Sequence, residues 1–261
     1  MSSFTFPNGK RCAVSITYDD GLPCHVNFVA ALLESRGLRG TFYVNIQSDI
    51  MVRPDLWRSL ADRGHELGNH SCFHPCRQEK PTDHPWLHPA YNLADYTPRR
   101  WTEEMKTANM ILSLLDGKRT RSFGNTCHNI ALGRDANKVA LSTLMPELFV
   151  AGRGPFNHKL VTPENLNWYE LGCYGADGKT LEQLKPELQA ARDAGAWIIY
   201  CLHGVGKIGA HNMLNMDEEE HRKLCDYLGE NAQDYWTASV AEVAQYLKGT
   251  GDATASPFSL T

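Results

Sequence analysis

A barrel of the α/β class is the fold this sequence predicts, and three observations predict it. Short β-rich apolar runs alternate with helix-period segments along the chain. The runs are apolar throughout rather than at every second residue, which is the pattern of strands covered on both faces, as in a parallel sheet. Seven or eight such units fit within about 250 residues, which favours a distorted (β/α) barrel of seven or eight parallel strands over an open sheet.

Residues 11–18, RCAVSITY, read as the first buried strand. A helix follows over 25–36, with Val26, Val29 and Leu33 on one face and Gly37 as terminator. TFYVN at 41–45 predicts a second strand, 55–63 a short helix, and HELGNH at 65–70 a brief third strand. Thr97-Pro98 is a helix-start pair, and Met105, Ala108, Leu112 and Leu115 form one stripe along a helix over 98–115. Further strands are expected at 120–123, 147–151, 167–172, 196–202 and 234–239. Pro186 leaves open where the helix within 181–194 starts. Asp217 with Glu220 caps a helix over 217–229; Ser239 with Glu242 caps the last one, which carries Val240, Val243, Ala244 and Leu247 at helical spacing. No repeat, low-complexity stretch or linker divides the chain. A single domain is therefore expected over 1–250, with 251–261 a loose tail.

The chain has 261 residues, 42% hydrophobic and 21% charged, enough to bury a core without disulfide or metal staples. Lys and Arg number 26 against 30 Asp and Glu, a net charge of −4, with no block of like charge. This argues against nucleic acid or an anionic membrane as partner. No run approaches a membrane span, and the N-terminus lacks a secretory pattern, so a cytoplasmic location is expected. The eight cysteines are too sparse for a disulfide framework. Several lie in apolar runs, where free thiols act as small hydrophobes, so they are expected to be mainly reduced.

Three segments place polar residues abruptly at strand ends. In Thr17-Tyr18-Asp19-Asp20-Gly21, adjacent carboxylates are costly unless something uses them, although Asp-Gly is also a common turn pair. In His70-Ser71-Cys72-Phe73-His74-Pro75, two imidazoles could converge on one ion if the segment makes a helical turn. Cys72 or Cys76 could offer thiolate as well, but in such a turn residue 72 points away from the 70/74 face and Pro75 interrupts the geometry for Cys76, so the metal is not expected to be held by cysteine. In Cys201-Leu202-His203-Gly204, a very apolar strand ends in a histidine.

Together these segments resemble the polysaccharide deacetylases of the NodB-homology type, carbohydrate esterase family four. TYDDG is similar to the family's Thr-Phe-Asp-Asp-Gly, with Tyr18 for Phe. His70, Ser71, His74 and Pro75 match every fixed position of its His-Ser/Thr-x-x-His-Pro motif, and Leu202-His203 its late Leu-His. The resemblance spans roughly residues 11–248 and implies the distorted barrel. It also implies that Asp20, His70 and His74 bind one divalent metal, usually zinc. Asp19 would be the general base toward water, and His203 the general acid. One carboxylate and two imidazoles leave positions open for water and a carbonyl oxygen, as a catalytic site requires.

Two departures matter. Where the family has Arg-Pro-Pro-Tyr-Gly, or Ala-Tyr-Pro-Tyr/Cys-Gly, this chain has Ser122-Phe123-Gly124-Asn125-Thr126-Cys127-His128. Asn125, Thr126 and His128 are therefore candidates for shaping the acetyl and oxyanion pocket. Arg153, in a Gly-rich turn, either resembles the Arg of the second branch and orients Asp19 or is an ordinary surface Arg. The Asp-x-x-Asp-Trp motif that tunes the acid His is not visible, so His203 has no identified partner. In PTDHPWLHPAY (81–91), Trp86 and Tyr91 are candidates for a sugar-stacking rim; Trp86 could equally anchor the loop.

The leading reading is metal-dependent removal of N- or O-acetyl groups from carbohydrate, with an acetylated polysaccharide or oligosaccharide as substrate. A cyclic amide or imide hydrolase on the same fold is the alternative. A non-catalytic carbohydrate- or zinc-binding protein fits least, because base, metal set and acid are all present. A homo-oligomer is compatible with each.

Overall fold

The computed structural model describes residues 3–80, 82–207 and 214–249; the tail expected at 251–261 lies outside them. The first strand, Cys12–Tyr18, is buried at every position and forms the axis of the sheet. Six consecutive residues pair in parallel with Trp197–Leu202, from Ala13 opposite Trp197 to Tyr18 opposite Leu202. Its other edge pairs with Tyr235–Thr237 at the start and with Thr41–Val44 at the end. The sheet continues through Glu66–Asn69 and Phe123–Gly124 to Gly152–Arg153, and on the opposite side through Trp197–Leu202 to Tyr174–Gly175. Every pairing in this eight-stranded sheet is parallel.

The two outer edges are drawn together by residues 168–175. Gly152 N donates to Trp168 O at 2.8 Å, Gly154 N donates to Leu171 O at 2.8 Å, and Arg153 bridges Leu171. The sheet therefore curls into the expected distorted barrel. Helices Pro54–Asp62, Pro98–Asp116, Leu181–Ala194, Glu218–Glu230 and Val240–Leu247 cover it. Thr97, Asp217 and Ser239 cap their helices through side-chain oxygens, as their positions predict. Leu181–Ala194 starts at a Thr180–Gln183 capping box and tolerates Pro186 inside it. The first helix differs from expectation: His25–Val29 is a wide π-turn, and only Ala30–Glu34 is α-helical before Gly37 turns left-handed at φ 70°.

Three strands were misplaced. The 120–123 strand is Phe123–Gly124, that at 147–151 is Gly152–Arg153, and that at 167–172 is Tyr174–Gly175, with only a bridge at Leu171. The apolar residues that suggested the second strand belong to packing rather than to a ladder. Phe149 joins Trp101, Met105 and Phe123 in a separate buried cluster. Among the described residues, no helix is long and apolar enough to cross a membrane.

Candidate metal and acid–base site

Asp19, His70, Asn125, Arg153, Asp177 and His203 all stand at or just beyond C-terminal strand ends, where a barrel assembles its reactive groups. Asp19 continues the first strand, its N–H donating to Leu202 O at 2.9 Å. Its carboxylate is buried against Arg153, which donates to Oδ1 at 2.9 Å and Oδ2 at 2.6 Å. Burial alone would raise its pKa; the charges of Arg153 and His70 and the Arg153 hydrogen bonds outweigh that and hold the carboxyl well below the usual range. The surface-Arg alternative for Arg153 is excluded, since its side chain is fully buried.

Asp20 points elsewhere because the backbone reverses there. Asp20 and Gly21 are both left-handed, at φ 73° and 61°, and a Cβ on Gly21 would collide with Ser48. Asp20 Oδ1 thereby lies 3.2 Å from His74 Nε2 and 3.7 Å from His70 Nε2. The two histidines meet it without the single helical turn that their spacing suggested. Ser71 and His74 adopt left-handed φ of 72° and 51°, and His74 N donates to Ser71 Oγ at 2.8 Å. Such strained residues cluster at functional sites.

The donor set fits a divalent cation. His70 Nδ1 lies 2.8 Å from Gly124 O, which assigns the proton to Nδ1 and leaves the Nε2 lone pair facing Asp20. Burial pulls the His70 pKa down to about 4 against the raising effect of Asp19, so the ring is neutral at pH 7. Although close to His74, buried Asp20 Oδ1 makes no well-aligned hydrogen bond. Ligand atoms of Asp20, His70 and His74 all lie within 4.8 Å of one another. Acceptors so crowded repel one another unless a cation sits among them.

His203 has the partner that sequence reasoning missed. Asp177 lies 2.7 Å from its Nδ1 through Oδ2 and accepts its backbone N–H through Oδ1 at 3.0 Å. Burial disfavours the imidazolium, but the Asp177 hydrogen bond and the charge of Asp19 raise the pKa to about 9. The available signal was Asp177-Gly178, a carboxylate at a turn two residues after a strand, hidden because that strand was placed too early.

The 122–128 loop is only partly turned to the site. The Asn125 N–H is committed to Arg153 O at 3.0 Å, while its buried side-chain amide makes no hydrogen bond. Thr126 Oγ1 is bonded to Pro75 O. His128 faces the cavity, its pKa lowered by burial to about 4. Cys127 is joined to Cys76 by a disulfide, one bridge in a chain whose cysteines are otherwise reduced as expected. The other six are buried free thiols. The pairing could not be read from residues 51 apart, because only the fold brings the two loops together.

Asp19, Asp20, His70, His74, His128, Asp177 and His203 open onto one cavity of about 1200 Å³, walled by Trp86, His84, Phe156 and His158. Tyr91 lies outside the cavity lining, its ring stacked on Phe73 at 4.9 Å.

With this geometry established, residues 7–126 match the family model described as polysaccharide deacetylase, and that stretch belongs to the family. No curated protein matches significantly. Among solved structures, a Mycobacterium smegmatis protein assigned to polysaccharide deacetylases superposes with a TM-score of 0.64 at 16% identity, covering 95% of this chain and 94% of its own. PdaA of Bacillus subtilis, a family 4 carbohydrate esterase, gives 0.54 at 18% identity over 94% and 86%. A family 4 acetyl xylan esterase from Clostridium thermocellum, in complex with cobalt, gives 0.55 at 18% over 93% and 95%. At these identities the structures establish a shared fold.

Proposed function

We propose that this chain, a polysaccharide deacetylase by the family of its residues 7–126, hydrolyses N- or O-acetyl groups on carbohydrate. Asp20, His70 and His74 would hold one divalent metal, zinc first among candidates, and a metal there supplies Lewis acidity to water and to the acetyl carbonyl. Asp19 takes the proton from the attacking water. Arg153 fixes both Asp19 oxygens, so the base cannot rotate away and rests ionised near neutrality, free to accept a proton from water. His203, kept charged by Asp177, gives a proton to the leaving amine or alkoxide. The supporting observation is convergence: the Arg-held carboxylate, the acceptor triad and the Asp-held imidazolium line the floor of one cavity.

The cavity supports a carbohydrate substrate over a small ring. Its 1200 Å³ exceeds the roughly 300–1000 Å³ typical of compact-ligand pockets, and Trp86 and Phe156 offer faces to sugar C–H surfaces. Acetate release from acetylated oligosaccharides, assayed beside succinimide- and hydantoin-type substrates, tests this. Turnover of only the cyclic compounds would replace the reading with ring-opening hydrolysis, and turnover of neither would leave a binding protein.

The rate should fall on the alkaline side as His203 loses its proton near pH 9. Asp177→Asn removes the main raising cause, so that limb should move to lower pH while metal content stays unchanged. An alkaline limb that stays in place would remove His203 as the acid. Stability should respond with the same sign. A raised folded-state pKa stabilises fully below the unfolded value near 6.5, and the benefit is lost as pH rises through about 9.

A further inference from the structure

We propose that Cys76 and Cys127, once reduced, form with His74 Nδ1 a second, thiolate-rich metal site, which the disulfide keeps closed. The ring of His74 stands between two donor sets: Nε2 lies 3.2 Å from Asp20 Oδ1, and Nδ1 lies 3.6 Å from Cys76 Sγ. A nitrogen of His74 and the two sulfurs all lie within 4.8 Å of one another, close enough to surround one ion. In the disulfide the sulfurs are uncharged and poor ligands. As thiolates with an imidazole they suit soft or borderline cations such as zinc, cadmium or copper(I).

The surrounding hydrogen bonds keep these donors together without the covalent link. Thr126 Oγ1 is bonded to Pro75 O, Arg77 N donates to Asn129 Oδ1 at 2.7 Å, and Leu93 N donates to Cys76 O at 2.9 Å. The first two bonds clamp the Cys76 segment to the Cys127 loop from both sides, and the third ties Cys76 to Leu93. Opening the S–S bond therefore leaves a preformed pair.

The reductant is a dithiol. Cys127 is the partly buried cysteine that lines the cavity, and Cys76 is fully buried, so attack falls on Cys127. One thiolate of the dithiol bonds to Cys127 sulfur and expels Cys76 thiolate, which takes a proton. The second thiol then displaces Cys127 and leaves as the oxidised cyclic disulfide. Two electrons and two protons pass to the protein. A divalent cation binding there displaces the two thiol protons, and the Nδ1 proton as well where Nε2 already holds a metal, and forms two metal–thiolate bonds.

The test uses the full chain and cadmium, and its spectroscopic readout does not depend on hydrolytic activity. The native protein is reduced anaerobically with a small dithiol, which is then removed. The chain should gain two titratable thiols, bind one more cadmium than the oxidised form, and develop thiolate-to-cadmium charge-transfer absorption. Cys76→Ser and Cys127→Ser should each lack the band. Asp20→Asn should keep it, which separates this site from the proposed catalytic one. Two new thiols without band or extra cadmium would overturn the site. A band present before reduction, or no thiols gained by the native chain, would overturn the redox gate.

Discussion

Asp19→Asn is expected to lower kcat by roughly 100- to 10,000-fold, the worth of a general base, while the variant retains its metal. Added zinc should not restore the rate. Its neighbour should behave differently. Asp20→Asn removes a carboxylate ligand, so metal content falls and excess zinc recovers part of the activity. The divergence follows from the backbone reversal at Asp20 and Gly21, which sends one carboxylate to Arg153 and the next to the two histidines. Asparagine is close to isosteric with aspartate, so it preserves shape while removing the charge and the proton-accepting capacity. Equal metal loss in both variants, with equal rescue by zinc, would make the pair a shared ligand and leave the base unassigned.

The long buried strands were legible because their apolar residues continue without interruption. Cys12–Tyr18 and Trp197–Leu202 coincide with the runs that predict them. The two-residue strands at Phe123, Gly152 and Tyr174 carry no periodicity of their own and exist because neighbours accept them. Gly124 is such a case: a Cβ there would stand 2.7 Å from the Tyr43 ring, a constraint visible only once that ring is placed. The site divides similarly. Asp19, Asp20, His70, His74 and His203 interrupt apolar runs at strand ends and announce themselves. Asp177 follows a strand too short to detect. The Cys76–Cys127 pairing depends on two loops that meet only in the folded chain. The helical turn expected at His70–His74 failed because Ser71 and His74 take left-handed backbone angles, for which their residue types give no warning.

Arg153→Met is expected to cost about 3–5 kcal/mol of stability, because it leaves the Asp19 charge buried without its counter-ion. For a chain of this size that corresponds to a fall in Tm on the order of 10 °C. Arg153 and Asp19 are both nearly inaccessible, joined by two hydrogen bonds, and the guanidinium also donates to Thr17 Oγ1 at 3.0 Å. Methionine roughly fills the stem volume but supplies none of these donors. Arg153→Lys should recover only part of the loss, since an ammonium cannot reproduce the planar two-point grip. The pH dependence gives the more specific signature. In the parent, Asp19 has a depressed pKa, so its contribution is present above the unfolded value near 3.9 and is lost as pH falls through the folded value. In Arg153→Met the same carboxylate is buried and unpaired, its pKa rises, and the variant should gain stability as pH falls from 7 and the group protonates. Adding Asp19→Asn to Arg153→Met should return much of the lost stability by removing the orphaned charge. If the single variant melts within about 2 °C of the parent and shows no inverted pH dependence, the pair is not the electrostatic anchor of the proposed base.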